Sequence, residues 1–254
     1  MDAGFGRKET TSRLSSVGES IESCDAILVS HEHRDHVNGL RSLAVRLKVP
    51  IYISASTRDV IQWDARITAF ELFTPGETFT IGDLEVHPFS VPHDAVDPCA
   101  FTFEAEGIKV GVVTDLGYIP EVVKQRVRGC HCLVFESNHD LDMLKVGPYP
   151  WFVKQRVMSR HGHLSNRTTA AFLSADYDGT AQVLVLAHLS ETNNHPEIVR
   201  LTATEALSHR AAGAFGFDIA RDVGPQGQAS LSVDGQKSEL HLARQDAPTP
   251  LFRF

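Results

Sequence analysis

The chain predicts an α/β fold, on three observations taken together. The short apolar runs Ala26-Ile27-Leu28-Val29, Leu133-Val134-Phe135 and Val183-Leu184-Val185-Leu186-Ala187 read as buried strands. Segments with apolar residues at helical spacing lie between them. Each run is followed at once, or after one serine, by a histidine or a carboxylate, and strand ends are where α/β proteins place their chemistry. With 254 residues and 42% hydrophobic content, the chain can bury one large core or two small ones, and a single domain over 1–254 is the simpler expectation.

No apolar stretch approaches the roughly 18 residues of a membrane span, and no charged-then-apolar leader opens the chain, so a cytoplasmic protein with no membrane partner is expected. Cys24, Cys99, Cys130 and Cys132 form no paired framework, which fits a reducing compartment. Cys130-His131-Cys132 opens an apolar strand and reads as buried thiols rather than a metal knuckle. A net charge of −8 allows a nucleic-acid partner only through a local basic surface, with metals handling much of the phosphate charge.

In order along the chain, Leu14, Val17 and Ile21 predict a short helix within Lys8–Ser23, leading to the strand at Ala26. That strand delivers Ser30-His31-Glu32-His33-Arg34-Asp35-His36. Imidazole and carboxylate are ligands of zinc, manganese and iron, and a turning chain aims alternate side chains at different points, so one loop could serve two metals. A histidine-rich solvated loop is the plain alternative. Leu40, Leu43, Ala44 and Leu47 share a face of a helix over Val37–Leu47, whose N-terminus points back at the cluster. After Pro50 come a strand at Ile51-Tyr52-Ile53 and a helix over Thr57–Asp64. Thr78–Ile81 and Leu84–Phe89, joined at Gly82-Asp83, form a hairpin followed by His93.

A second hairpin joins Phe101–Glu104 to Ile108–Val113 through Glu106-Gly107 and runs into Asp115. A carboxylate at a buried strand end wants a cation; capping of the helix that starts at Pro120 and closes at Gly129 is the weaker reading of Asp115, because five residues separate them. Leu133–Phe135 delivers Glu136-Ser137-Asn138-His139-Asp140. A helix over Phe152–Ser159 leads to His161-Gly162-His163, and Ser165 or Asn166 can cap the next helix. Val183–Ala187 delivers His188. Ala229–Ser232 and Leu240–Ala243 read as strands of the 211–254 segment that complete the sheet.

The run His31-Glu32-His33-Arg34-Asp35-His36 resembles the signature of the metallo-β-lactamase superfamily, and His93, Asp115 and His188 follow in the order that family requires. The resemblance implies an αββα metallo-β-lactamase sandwich with two divalent metal ions, zinc first, with manganese or iron as alternatives because no cysteine ligand selects zinc. It assigns His31, His33 and His93 to one metal and Asp35, His36 and His188 to the other, with Asp115 bridging and an intervening hydroxide as nucleophile. Asp2 and Gly4 match the family's D-x-G motif that buttresses the metal loop, with almost nothing before them. The chain is therefore expected to lack the first N-terminal strands of the fold.

Glu136–Asp140, Gly147-Pro148-Tyr149-Pro150-Trp151 and Gly162–Asn166 together resemble the YycJ/WalJ branch of that superfamily, single-domain 5′-to-3′ DNA exonucleases. A more distant likeness to tRNase Z implies that Glu136 orients His163, which stabilises the phosphate or protonates the leaving oxygen. Asp35, Glu136 and His163 are the catalytic candidates of this reading. A dinuclear phosphodiesterase acting on DNA is thus the expected function. A thioester or lactone hydrolase of glyoxalase II type is the alternative, although it should offer a basic helical C-terminal domain. A non-catalytic binding protein ranks last, because no ligand is substituted. Arg34, Lys145, Lys154, Arg156, Arg160 and Arg167 could track a phosphate backbone.

Overall fold

The structure is a computed structural model that describes residues 1–213, 219–220, 229–233 and 236–254. It divides into two compact units: Met1–Ser90 with Asp94–Ala100 and Pro250–Arg253, and Val91–His93 with Phe101–Thr249 and Phe254.

In the first unit, helix α1 (Arg7–Ser16) is shorter than the helix predicted to Ser23. The amides of Val17 and Gly18 turn back onto Leu14 and Ser15, and Gly18 takes φ 81°, a left-handed conformation that ends a helix without steric cost. Ile21–Ser23 is a separate 3₁₀ turn. Strand β1 (Ile27–Leu28) leads through the histidine loop into α2 (Arg34–Val37) and α3 (Leu40–Leu47). The single helix predicted over Val37–Leu47 is thus interrupted, because the Gly39 amide donates to Ala3 instead of continuing the helix from residue 35.

Strand β2 (Ile51–Ser54) is followed by α4 (Ala55–Val60), shorter than the expected Thr57–Asp64 helix and shifted toward the N-terminus; Ser54 caps it by accepting from the Thr57 amide. Strand β3 (Phe70–Phe73), which the sequence reading missed, completes a parallel sheet in the order β1-β2-β3. Strands β4 (Phe79–Ile81) and β5 (Leu84–Ser90) form the expected antiparallel hairpin. Ala3, Ile27, Val29, Leu40, Leu43, Ala44, Ile51 and Ile53 make the core of this unit, so the loop after β1 is rooted in its best-packed part.

Strand β6 (Cys99–Ala105), which enters the second unit at Phe101, pairs antiparallel with β7 (Ile108–Val113). Helix α5 (Glu121–Arg126) begins after Pro120 and is followed by Gly129 at φ 72°. Next come β8 (Cys132–Glu136), α6 (Leu141–Val146), α7 (Trp151–Val157), α8 (Asn166–Ala175), β9 (Val183–Ala187), α9 (Pro196–Gly213), β10 (Ile219–Ala220), β11 (Ala229–Val233) and β12 (Gln236–Leu242). Strands β7, β8, β9 and β12 are mutually parallel neighbours, with β11 and β10 antiparallel beyond β12. Helices α8 and α9 pack on one another, and Phe172 of α8 stacks on Phe135 of β8 with ring centroids 4.6 Å apart. Parallel β7, β8 and β9 bring Asp115, Glu136 and His188 to the same sheet end. No helix among the described residues is long and apolar enough to cross a membrane.

Candidate metal centre and proton relay

In the first unit, the loop after β1 gathers His31, His33, Asp35 and His36. His33 stands at the N-terminus of α2, whose first turn carries Asp35 and His36. The ring of His31 lies 4.7 Å from that of His33 and 4.1 Å from that of His36, centroid to centroid. The outer nitrogens of two of these rings are held from behind. Asp2 Oδ2 is 3.0 Å from His36 Nδ1 and accepts from Ser30 Oγ, Asp2 Oδ1 accepts from the Ser30 amide, and Ser30 Oγ is 3.0 Å from His31 Nδ1. A hydrogen bond at Nδ1 fixes the tautomer that leaves Nε2 as a lone-pair donor, the usual outer support of a metal-binding imidazole. Gly4 has a local reason to be glycine, since a Cβ there would collide with the Asp35 carbonyl. The Asp2–Gly4 motif therefore supports the loop as its sequence suggests.

In the second unit, His93, Asp115, Glu136, His163 and His188 converge. Asp115 and His188 leave their strands with φ of 63° and 60°, a left-handed conformation that non-glycine residues adopt at a cost of about 1–3 kcal/mol and that clusters at functional sites. The Gly162 carbonyl lies 3.1 Å from His93 Nδ1, which leaves His93 Nε2 facing Asp115 Oδ1 at 3.7 Å. His188 Nε2 faces the same oxygen at 3.5 Å. These separations are too long for good hydrogen bonds. Each of the two pairs, His93 with Asp115 and His188 with Asp115, suits donors to a shared cation, since two ligands each about 2.1 Å from a zinc at a tetrahedral angle stand about 3.4 Å apart. Carboxylate and neutral imidazole are the chemistry such an ion takes, so the residues present fit a divalent metal.

Glu136 is the hub, with no accessible surface. Its Oε1 is 2.8 Å from His163 Nδ1 and 3.0 Å from His188 Nδ1, while its Oε2 accepts from the amides of Leu116 and Leu164. Burial alone would push this carboxyl up, but the hydrogen bonds and charges of His163 and His188 outweigh it and hold it below the usual carboxylate range. The sequence reading paired Glu136 with His163; the second partner, His188, is new. The two polar motifs around this hub have structural work of their own. Ser137 Oγ donates to Asn166 Oδ1, Asn166 Nδ2 to Asn194 Oδ1, and Asn194 Nδ2 to the carbonyls of Ser137 and Asn138, while Asn138 Nδ2 donates to the His188 carbonyl. This buried network locks the loops after β8 and β9 together. Cys130 and Cys132 are free buried thiols, pushed up to about 12 and about 11 by burial, and His131 Nδ1 accepts from the Lys109 amide, so none of the three serves a metal knuckle.

His139 carries a prediction about stability. Its ring is buried, neither nitrogen has a hydrogen-bond partner among the described residues, and burial pushes its pKa down to about 4. Because the folded value lies below the unfolded one of about 6.5, the neutral ring's contribution is complete above that pH and is lost as pH falls toward 4. Urea unfolding between about pH 7 and pH 5 should show a loss of about 2 kcal/mol that His139→Asn removes. An equal acid sensitivity in wild type and variant would show that His139 is not responsible.

A model of the beta-lactamase superfamily domain matches residues 1–189. The chain is 34% identical over 216 residues to exodeoxyribonuclease YycJ of Bacillus anthracis, covering 84% of this chain and 82% of that protein. It is 32% identical over 218 residues to exodeoxyribonuclease WalJ of Streptococcus pneumoniae, covering 84% and 81%. Among solved structures, the metallo-β-lactamase fold protein YhfI from Bacillus subtilis superposes with a TM-score of 0.59 at 19% identity, covering 80% of this chain and 79% of that one. The chain therefore belongs to the beta-lactamase superfamily and has the α/β fold of its metal-dependent hydrolases.

Proposed function

We propose that this chain hydrolyses phosphodiester bonds of nucleic acid, as a 5′-to-3′ exonuclease on DNA, with two divalent metal ions held by His31, His33 and His93 on one side and Asp35, His36 and His188 on the other, bridged by Asp115. The observation that carries the reading is the Glu136 hub, one buried carboxylate hydrogen-bonded both to a proposed metal ligand, His188, and to His163, which takes no metal in this assignment. The similarity to two exodeoxyribonucleases over more than four-fifths of the chain supports DNA as the substrate. When bound, the ions supply Lewis acidity and lower the pKa of water.

The chain's own residues do the rest. Glu136 holds the proton of His163 at Nδ1, which keeps the ring's Nε2 edge oriented. His163 is one-fifth exposed, so that edge can reach a substrate, whereas Glu136 cannot. A protonated His163 stabilises charge gathering on the phosphate or passes its Nε2 proton to the departing sugar oxygen.

End-labelled single- and double-stranded DNA and RNA, incubated with the chain and zinc, manganese or iron, test the proposal. Release of mononucleotides from the 5′ end of DNA is expected. Hydrolysis of thioesters or lactones with intact nucleic acid would overturn it.

A further inference from the structure

The face next to His163 carries a feature that the hydrolytic site does not use. Trp151 and Phe152, the first two residues of α7, are 62% and 71% exposed, and Val146 at the end of α6 is 87% exposed. Two consecutive exposed aromatic residues with an exposed valine nearby in the chain are a large apolar surface to leave in water. Their surroundings say what would cover it. From Met143 to Ala175 the chain holds Lys145, Lys154, Arg156, Arg160 and Arg167 and no aspartate or glutamate, although its net charge is −8. Lys154 is turned inward, its Nζ donating to the Lys145 carbonyl, so it closes the α6–α7 corner rather than meeting a ligand. Lys145 is already paired with Asp142, its Nζ 3.2 Å from Asp142 Oδ1, while Arg160 and Arg167 are exposed and the Arg160 guanidinium lies over the Tyr118 ring at 4.5 Å.

The helix that carries this patch is tied to His163. The His163 amide donates to the Val157 carbonyl at the far end of α7, and Tyr118 lies three residues beyond Asp115. At about 1.5 Å per residue, Trp151 stands roughly 10 Å along α7 from that turn, the rise of about three stacked nucleotides of a strand.

We propose that the α6–α7 corner is a stacking platform for unpaired bases of a nucleic-acid strand whose end lies at His163, with Trp151 and Phe152 against the bases and the flanking cations on the backbone. Aromatic faces set beside cations are the combination by which single strands are bound without regard to sequence. This inference rests on the reading of the site as acting on nucleic acid, and it adds where the strand runs.

Binding of a fluorescein-labelled oligothymidylate with phosphorothioate linkages, followed by anisotropy on the full chain as purified, separates the two. Wild type should bind it. Trp151→Ala and Phe152→Ala should each raise Kd by about 5- to 100-fold, since stacking on one aromatic is worth that much. Trp151→Phe should restore much of the affinity, and Phe152→Leu, which keeps apolar area but has no π-face, should not. Arg167→Gln should lower the salt slope by about 0.7. The platform is overturned if wild type does not bind the oligonucleotide or if both alanine variants bind it as wild type does. It is equally overturned if Phe152→Leu is silent, or if the alanine variants change the sedimentation coefficient, which would make the patch a protein contact. Should the platform fail while 5′ mononucleotide release persists, the phosphodiesterase reading stands alone.

Discussion

Replacing His163 by alanine is expected to cut turnover on a DNA end by about 10²- to 10⁴-fold while the chain keeps its metal ions. The expectation follows from its position. His163 Nδ1 is tied to Glu136 Oε1, its ring lies 5.0 Å from that of His93 and 5.2 Å from that of His188, and it is outside the proposed ligand set. On the proposed reading its loss removes a proton donor and leaves the proposed ligands in place. Such help matters most when the leaving group is poor, as a sugar hydroxyl is, and least when it departs unaided. On bis-p-nitrophenyl phosphate the same variant should therefore lose far less. Equal losses on both substrates, or loss of metal, would make His163 a structural residue.

Glu136→Gln is expected to cost at least as much and to act on the metals as well. The carboxylate accepts from two imidazoles and two amides, so an amide in its place turns one acceptor into a donor and misorients His163 and His188 together. Loss of outer support of this kind lowers metal affinity by about 10- to 100-fold. Competition with a fluorescent chelator should show one of the two ions weakened in Glu136→Gln and neither in His163→Ala. The double variant should be little slower than Glu136→Gln alone, because residues acting as a unit are not additive. Unchanged affinity for both ions would mean that the His188 bond to Glu136 is incidental.

The local part of this arrangement was legible in the sequence. Apolar runs before His31, Glu136 and His188 and the two hairpins before His93 and Asp115 announce strands by length and alternation, and these elements form nearly as read. Helix ends were less legible. The terminators of α1 and the break between α2 and α3 are a left-handed Gly18 and a Gly39 amide drawn to Ala3, and the latter is a tertiary contact with no signature in periodicity. Strand β3 was missed because Phe70-Glu71-Leu72-Phe73 is short and its alternation weak. Helix α9 was missed although Pro196 at its first position and His195, whose Nδ1 accepts from the Glu197 amide, were signals of a helix start. At the site, the residue types identified the candidates, but nothing local could show Gly162 behind His93 or Glu136 behind His188. Those partners are 69 and 52 residues apart in the chain and meet only through sheet order.

The central claim is that two divalent ions, not one, make this chain a nuclease. Its most direct test is to strip the chain of metal and follow mononucleotide release from end-labelled DNA as the ion is titrated back. Activity that stays low through the first equivalent and rises with the second is expected, since the proposed ligands, three on each side of Asp115, are too many for one tetrahedral ion. Full activity at one equivalent, unaltered by Asp35→Ala, would contradict it.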